Sequence, residues 1–250
     1  MNVIGAILDH GSRLLPFALL LAAWQGVAGS GLADPAFLPS VGAIGHALID
    51  LGATQSFYAD LAVTFGRSLG GLALGAVIGI PIGTVMAVSR QAEGFFGPLV
   101  KATYSLPKTA LVPLLILWLG IGTATNVVAV MLATLLPFVV YTYHGIQGVP
   151  RILVWSARAM GVAEHRMLWK VLLPGAQHAM LTGLRIALGF SFVIAIAAEM
   201  IAAQTGVGKL MFIMFAAVAA IMLLAYVADR ITVAVSNRLL RWDDIENRLG

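Results

Sequence analysis

Few residues in this chain are of types that do chemistry, and most of those lack the neighbours that chemistry requires. Ser191, in GFSF at 189–192, carries a hydroxyl, but no histidine follows residue 178 to act as its base. GVGKL at 206–210 ends like a phosphate-binding loop, yet Ala203 stands where the first glycine is needed. Leu210 likewise stands where Ser or Thr would hold magnesium, so the fingerprint fails. His10, His46, His144, His165 and His178 are scattered with no i,i+4 pair, which points to no metal site. The absence of cysteine removes thiol catalysis and thiolate ligands. Glu199 and Arg185 remain, both inside one long apolar run, and what that run is decides what they mean.

The chain has 250 residues, 60% of them hydrophobic and only 10% charged, against about a quarter charged in a soluble domain. Mean hydropathy is +0.95. A surface so poor in charge is solvated by lipid. Apolar runs at about 14–30, 61–88, 98–119, 124–147, 176–203 and 210–235 each approach the ~20 residues that span a bilayer. The expectation is an all-α integral membrane protein with six crossings in a single domain over 1–250. The first run, after Arg13, is read as a retained helix and not a cleaved signal, because no small-residue cleavage site leads into a soluble domain.

The net charge of +4 is a matter of topology and not of nucleic-acid binding. Segment 31–60 holds Asp34, Asp50 and Asp60 with no Lys or Arg, whereas 150–175 holds Arg151, Arg158, Arg166 and Lys170. Placing both termini in the cytoplasm puts the basic segments inside, and only Arg67 and Lys209 fall near the outer face. Gly71, Gly75, Gly79 and Gly83 recur every four residues and make a bare stripe for close helix packing. Pro81, Pro113 and Pro137 lie inside apolar runs and are expected to bend them; bends suit a pathway lining. A carboxylate at mid-membrane costs about 2.5–3.5 kcal/mol on insertion scales. Glu199 therefore reads either as an interfacial group snorkelling to water or as a pathway residue. Arg185 reads as an inner-face anchor or as a contact for an anionic solute.

One polar stretch lies between spans, PRILVWSARAMGVAEHRMLWKVLLPG at 150–175. Pro150 can start a helix, Gly161 can break it, and Pro174 is expected to end a second short piece before the membrane is re-entered. Such a partly apolar, partly basic pair is built to lie on lipid or to dock in a groove of another protein.

Within that stretch, Ala157, Gly161, Val171, Leu173 and Pro174 resemble the cytoplasmic loop signature of bacterial ABC importer permeases, E-A-A-x3-G-x9-I-x-L-P. Trp155 and Ser156 depart from it, standing where the family has Glu and Ala. FLPS at 37–40, LPKTALVPLLILWLGIG at 106–122, GLRIALG at 183–189, Glu199 and GVG at 206–208 follow in matching order. Together they are similar to the permeases for sulfonates, taurine, nitrate, bicarbonate and pyrimidine precursors. The resemblance covers roughly 15–243, with a stretch after Gly208 about ten residues shorter than in the family.

The resemblance implies a core of five helices plus one N-terminal helix, and a homodimer in the bacterial inner membrane. It implies two ATP-binding subunits gripping the 150–175 loop, and an external binding protein, periplasmic or lipid-anchored, that delivers the solute. This chain would bind no cofactor; ATP and magnesium would belong to the partner subunit, so the chain would not itself be an enzyme. Pathway candidates are Glu199, Arg185 and Pro113. A stand-alone secondary carrier is the alternative, but the runs are nearly charge-free and show no inverted repeat. A non-transporting relative that keeps the fold is a third reading.

Overall fold

The computed structural model describes residues 15, 18–31, 38–202, 206, 226, 227, 229–231, 233 and 234. Among them every regular element is helical. The chain divides into two compact units, Met1–Tyr58 with Leu210–Ala220 and Ala59–Lys209 with Ile221–Gly250.

In the first unit, the described part of the first apolar run is α1 (Ala18–Gly29), followed by α2 (Val41–Gly52). The two are tied by polar contacts at the turn between them. Trp24 Nε1 donates to the Pro39 carbonyl at 3.0 Å, and the Val41 amide donates to Gln25 Oε1 at 2.9 Å. Ser40 caps α2 by accepting the Ala43 amide at 3.1 Å. That explains the last two residues of FLPS: one offers a carbonyl and the other a cap.

The second run becomes α3 (Gln55–Val88), 34 residues long, which at 1.5 Å per residue is about 51 Å and exceeds the hydrocarbon core. Its extra turns carry Gln55, Ser56, Tyr58 and Asp60, the polar residues ahead of the apolar run. Pro81 is accommodated inside it.

The third run departs from the expected continuous helix. It is α4 (Arg90–Tyr104), a break, a 3-10 turn (Lys108–Leu111) and α5 (Val112–Leu119), bent by 94°. Pro107 explains the break: it lacks an N–H, and its ring pushes Leu106 out of the helical region. Pro113 falls in the first turn of α5, where the missing N–H would have no partner anyway, so the bend lies six residues before it.

The fourth run is α6 (Thr123–Gln147), continuous through Pro137. The fifth is α9 (Leu173–Ala202). Three helical stretches among the described residues are long and apolar enough to cross a membrane, or four if the bent pair counts as one. The sixth run, 210–235, lies almost wholly outside the described residues, as do the shortened stretch after Gly208 and Trp242.

The glycine stripe of α3 lies against α6. A Cβ at Gly71 would meet the Val127 carbonyl at 2.8 Å, one at Gly79 the Leu135 carbonyl at 2.8 Å, and one at Gly83 the Val139 carbonyl at 2.5 Å. Both residue series rise together, so the two helices run parallel, as two spans separated by one crossing must. Opposite them, α5, α6 and α9 share a core of Val112, Leu115, Ala129, Val130, Ala133 and Ile194, with Ala195 and Ala198 fully buried. Small side chains let backbones close up where lipid offers no hydrophobic drive.

Candidate functional site

Two constructions stand out, one at each end of the bundle. The first is built by the 150–175 segment. Pro150 precedes α7 (Arg151–Ala159), which stops because Gly161 enters the left-handed region at φ +80°. The Val162 amide then reaches back to the Ala157 carbonyl at 3.0 Å, and the Gly161 amide to Arg158 at 2.9 Å. This is a Schellman end, which requires the glycine. Ala157 is buried while Trp155, two residues earlier, is 59% exposed. The signature's alanine is therefore the foot of the knob and the Trp155 position is its outward face.

α8 (Glu164–Met167) follows, with Met167 buried. A π-helical turn (Leu168–Leu172) carries it straight into α9, so Pro174 does not end the second piece as expected. The wide turn, with the Leu173 amide bonded to the Leu168 carbonyl, sits where the proline cannot donate. Val171, Leu173 and Pro174 are half-buried at this junction. Ser156 is exposed. Arg158 Nε donates to Glu164 Oε1 at 2.7 Å, bridging α7 and α8 across the turn. The Schellman end sets the turn between α7 and α8, and the π turn makes the knob continuous with α9.

Exposed Ile152, Leu153, Trp155, Met160 and Trp169 leave the knob with an uncovered apolar face. A Gly161→Ala change meets no clash, since open space surrounds the position. Its cost is the left-handed backbone alone, about 1–2 kcal/mol. Faster amide exchange confined to 151–167 is the expected result.

The second construction is a buried ionic clasp. Arg67 of α3 donates to Glu199 Oε1 of α9 at 2.8 Å, their side chains being 3% and 0% exposed. Thr64 donates to the same carboxylate at 2.8 Å, and Arg67 Nη2 donates to Thr123 of α6 at 3.1 Å. The Gly206 amide donates to Asp60 Oδ1 at 3.0 Å. Gly206 has φ +103°, and a Cβ there would strike the Glu199 carboxylate. The first glycine of GVG is therefore required twice over, by its backbone and by the carboxylate beneath it.

Glu199 thus neither snorkels nor lies open to solvent; it joins three helices. A buried pair earns little net stability, but breaking it is costly because one charge is stranded. Near this level Ser68 Oγ and both amide atoms of Asn126 are buried with no hydrogen-bond partner among the described residues. Replacing Asn126 by near-isosteric leucine removes that penalty, and a melting temperature equal to or above the parent's is the expected result.

Arg185 forms a two-pronged pair with Asp229 of the sixth run, at 2.6 and 2.9 Å. It lies thirteenth in the 30 residues of α9. No group of three or more metal-ligating side chains occurs among the described residues.

This architecture can be compared with known proteins. The family model "Binding-protein-dependent transport system inner membrane component" matches residues 75–241. The taurine transport system permease protein TauC of Escherichia coli is 30% identical over 239 residues, covering 90% of this chain and 87% of that one. The putative aliphatic sulfonates transport permease protein SsuC of Escherichia coli is 32% identical over 201 residues, covering 79% of this chain and 76% of its own. The Bacillus subtilis protein of the same description is 27% identical over 238 residues, covering 92% and 86%.

Among solved structures, an inward-facing form of the MetNI methionine ABC transporter superposes with a TM-score of 0.66 at 18% identity, covering 73% of this chain and 95% of that one. It shares the fold. The partners of the family are an ATP-binding subunit and a substrate-binding protein, and ATP is hydrolysed on the former. The chain belongs to the binding-protein-dependent transport inner-membrane components and is the non-enzymatic, membrane-spanning permease of an ABC importer.

Proposed function

We propose that two copies of this chain form the pathway through which a small sulfonate, taurine included, enters the cell, each copy gripped at 150–175 by one ATP-binding subunit. The carrying observation is the knob. It is stiffened by a Schellman end and an ion pair, presents uncovered Trp155 and Trp169, and is continuous with α9. A rigid helix of this kind transmits the closure of two ATPase subunits as a body displacement.

The substrate class rests on the relatives, whose descriptions name taurine and aliphatic sulfonates. Both termini are placed in the cytoplasm, six crossings are proposed, and the chain itself binds no cofactor. Trp155, where the family's signature has Glu, makes the grip apolar at this point in place of ionic.

Proteoliposomes holding the assembled complex and its binding protein test the proposal. ATP-dependent uptake of labelled taurine or ethanesulfonate is expected, and deletion of 155–168 should abolish both uptake and co-purification of the ATPase. Uptake that survives the deletion contradicts the proposal.

A further inference from the structure

The break in the third span leaves a cation in an unusual place. Lys108 opens the 3-10 turn after Pro107, and its Nζ donates to the Tyr104 carbonyl at 3.0 Å and lies 5.2 Å from the Tyr104 ring centroid. No carboxylate pairs with it among the described residues, in contrast to Arg67, Arg158 and Arg185. Beside it is a cavity of about 210 Å³, in which Lys108 is the sole charged lining residue among the described residues. The walls are apolar, with Leu136 and Pro137 of α6 and Ile186 and Phe190 of α9, and Tyr141 contributes an aromatic ring carrying a hydroxyl.

Its depth is given by those walls. Residues 136–141 lie in the middle of the 25-residue α6, and 186–190 in the middle of the 30-residue α9. The cation is therefore near mid-membrane, where an ionisable group is costly and is kept for a purpose. A broken helix at that depth is the usual way backbone and charge are presented to a solute.

We propose that Lys108 and this cavity form the charge-reading station of the pathway, taking a small organic anion whose short alkyl tail lies on Leu136 and Phe190. The inference rests on the importer reading and narrows its substrate to a sulfonate with an apolar end. The volume is below that of pockets for drug-sized ligands, as a solute of a few heavy atoms requires. The helix break does two things here: it frees the Tyr104 carbonyl that orients the ammonium, and it turns the side chain toward the cavity.

The test uses the detergent-purified complex of permease and ATPase subunits, with ethanesulfonate at millimolar concentration and the neutral isostere ethyl methyl sulfone. Ethanesulfonate should raise the melting temperature of the parent complex and the sulfone should not; K108Q should lose the shift and K108R should keep it. In proteoliposomes K108Q should slow ethanesulfonate uptake about tenfold or more, the loss of one charge-assisted contact. No shift in the parent, an equal shift from the sulfone, or K108Q behaving as the parent overturns the proposal. So does a K108Q complex that is less stable without ligand yet still shifts with ethanesulfonate, since Lys108 then only caps α4. A parent complex that shows the predicted shifts but imports no sulfonate contradicts the substrate proposed above while leaving the anion site standing.

Discussion

Glu199→Leu is expected to lower the stability of the complex by about 3–5 kcal/mol, a fall in melting temperature on the order of 10 °C. The loss arises because Arg67, 3% exposed, keeps its charge and loses its carboxylate. Thr64 loses its 2.8 Å bond to the carboxylate at the same time and keeps the Asp60 carbonyl at 3.1 Å. Most of the loss should be recovered in the double variant Arg67→Met with Glu199→Leu, which removes both members of the pair. Glu199→Gln should fall between the parent and the leucine variant, since the amide oxygen can still accept from Thr64 or Arg67. Thermal melting of the purified complex reads all four. Equal melting of the single and double variants would show that the clasp matters through shape and not through charge.

The second large effect concerns the glycine stripe. Gly83→Ala places a Cβ 2.5 Å from the Val139 carbonyl and 2.9 Å from Thr142 Cβ. A backbone carbonyl cannot swing aside as a side chain end can, so α3 and α6 must separate. The expected cost is about 3 kcal/mol, at the upper end for overpacking. Gly66→Ala, on the same helix, meets nothing within 4 Å. There the gain in helix propensity, about 0.5–1 kcal/mol, has nothing to oppose it. One chemical change therefore has opposite signs seventeen residues apart on one helix. Melting of the two variants side by side checks it, and a shared sign contradicts the packing described.

Much of this was legible from residue types alone. The stripe announced a close contact, although its partner could not be read, because small-residue faces do not name the helix they meet. The knob was legible because Pro150 and Gly161 act locally, one starting a helix and one accepting a left-handed backbone. Pro174 was misjudged for a tertiary reason: a π turn absorbed the missing donor and let the helix continue. The third run read as one span with its bend at Pro113; Pro107, which lies beside Ser105 and Lys108 and breaks the helix, was not singled out.

The Arg67–Glu199 clasp was missed although a signal existed. Topology had already put both charges near the outer end of otherwise charge-free runs, and opposite charges at one depth in lipid seek each other. The Arg185–Asp229 pair carried no such signal, because residue types do not tell which face of α9 meets the sixth run. Lys108 took its meaning only once the break was seen, since in a continuous helix it would be one more basic residue in a span.

Transmission through the knob is tested most directly by a single introduced thiol. The chain has no cysteine, so Trp155→Cys is a unique label in an otherwise unchanged permease. In the assembled complex a short bifunctional reagent should join position 155 to the ATP-binding subunit, and the yield should change between the nucleotide-free and ATP-bound states. Impermeant thiol reagents added outside intact cells should not reach it. Labelling from the outside, or a thiol that never joins the ATPase in either state, contradicts the account at its centre.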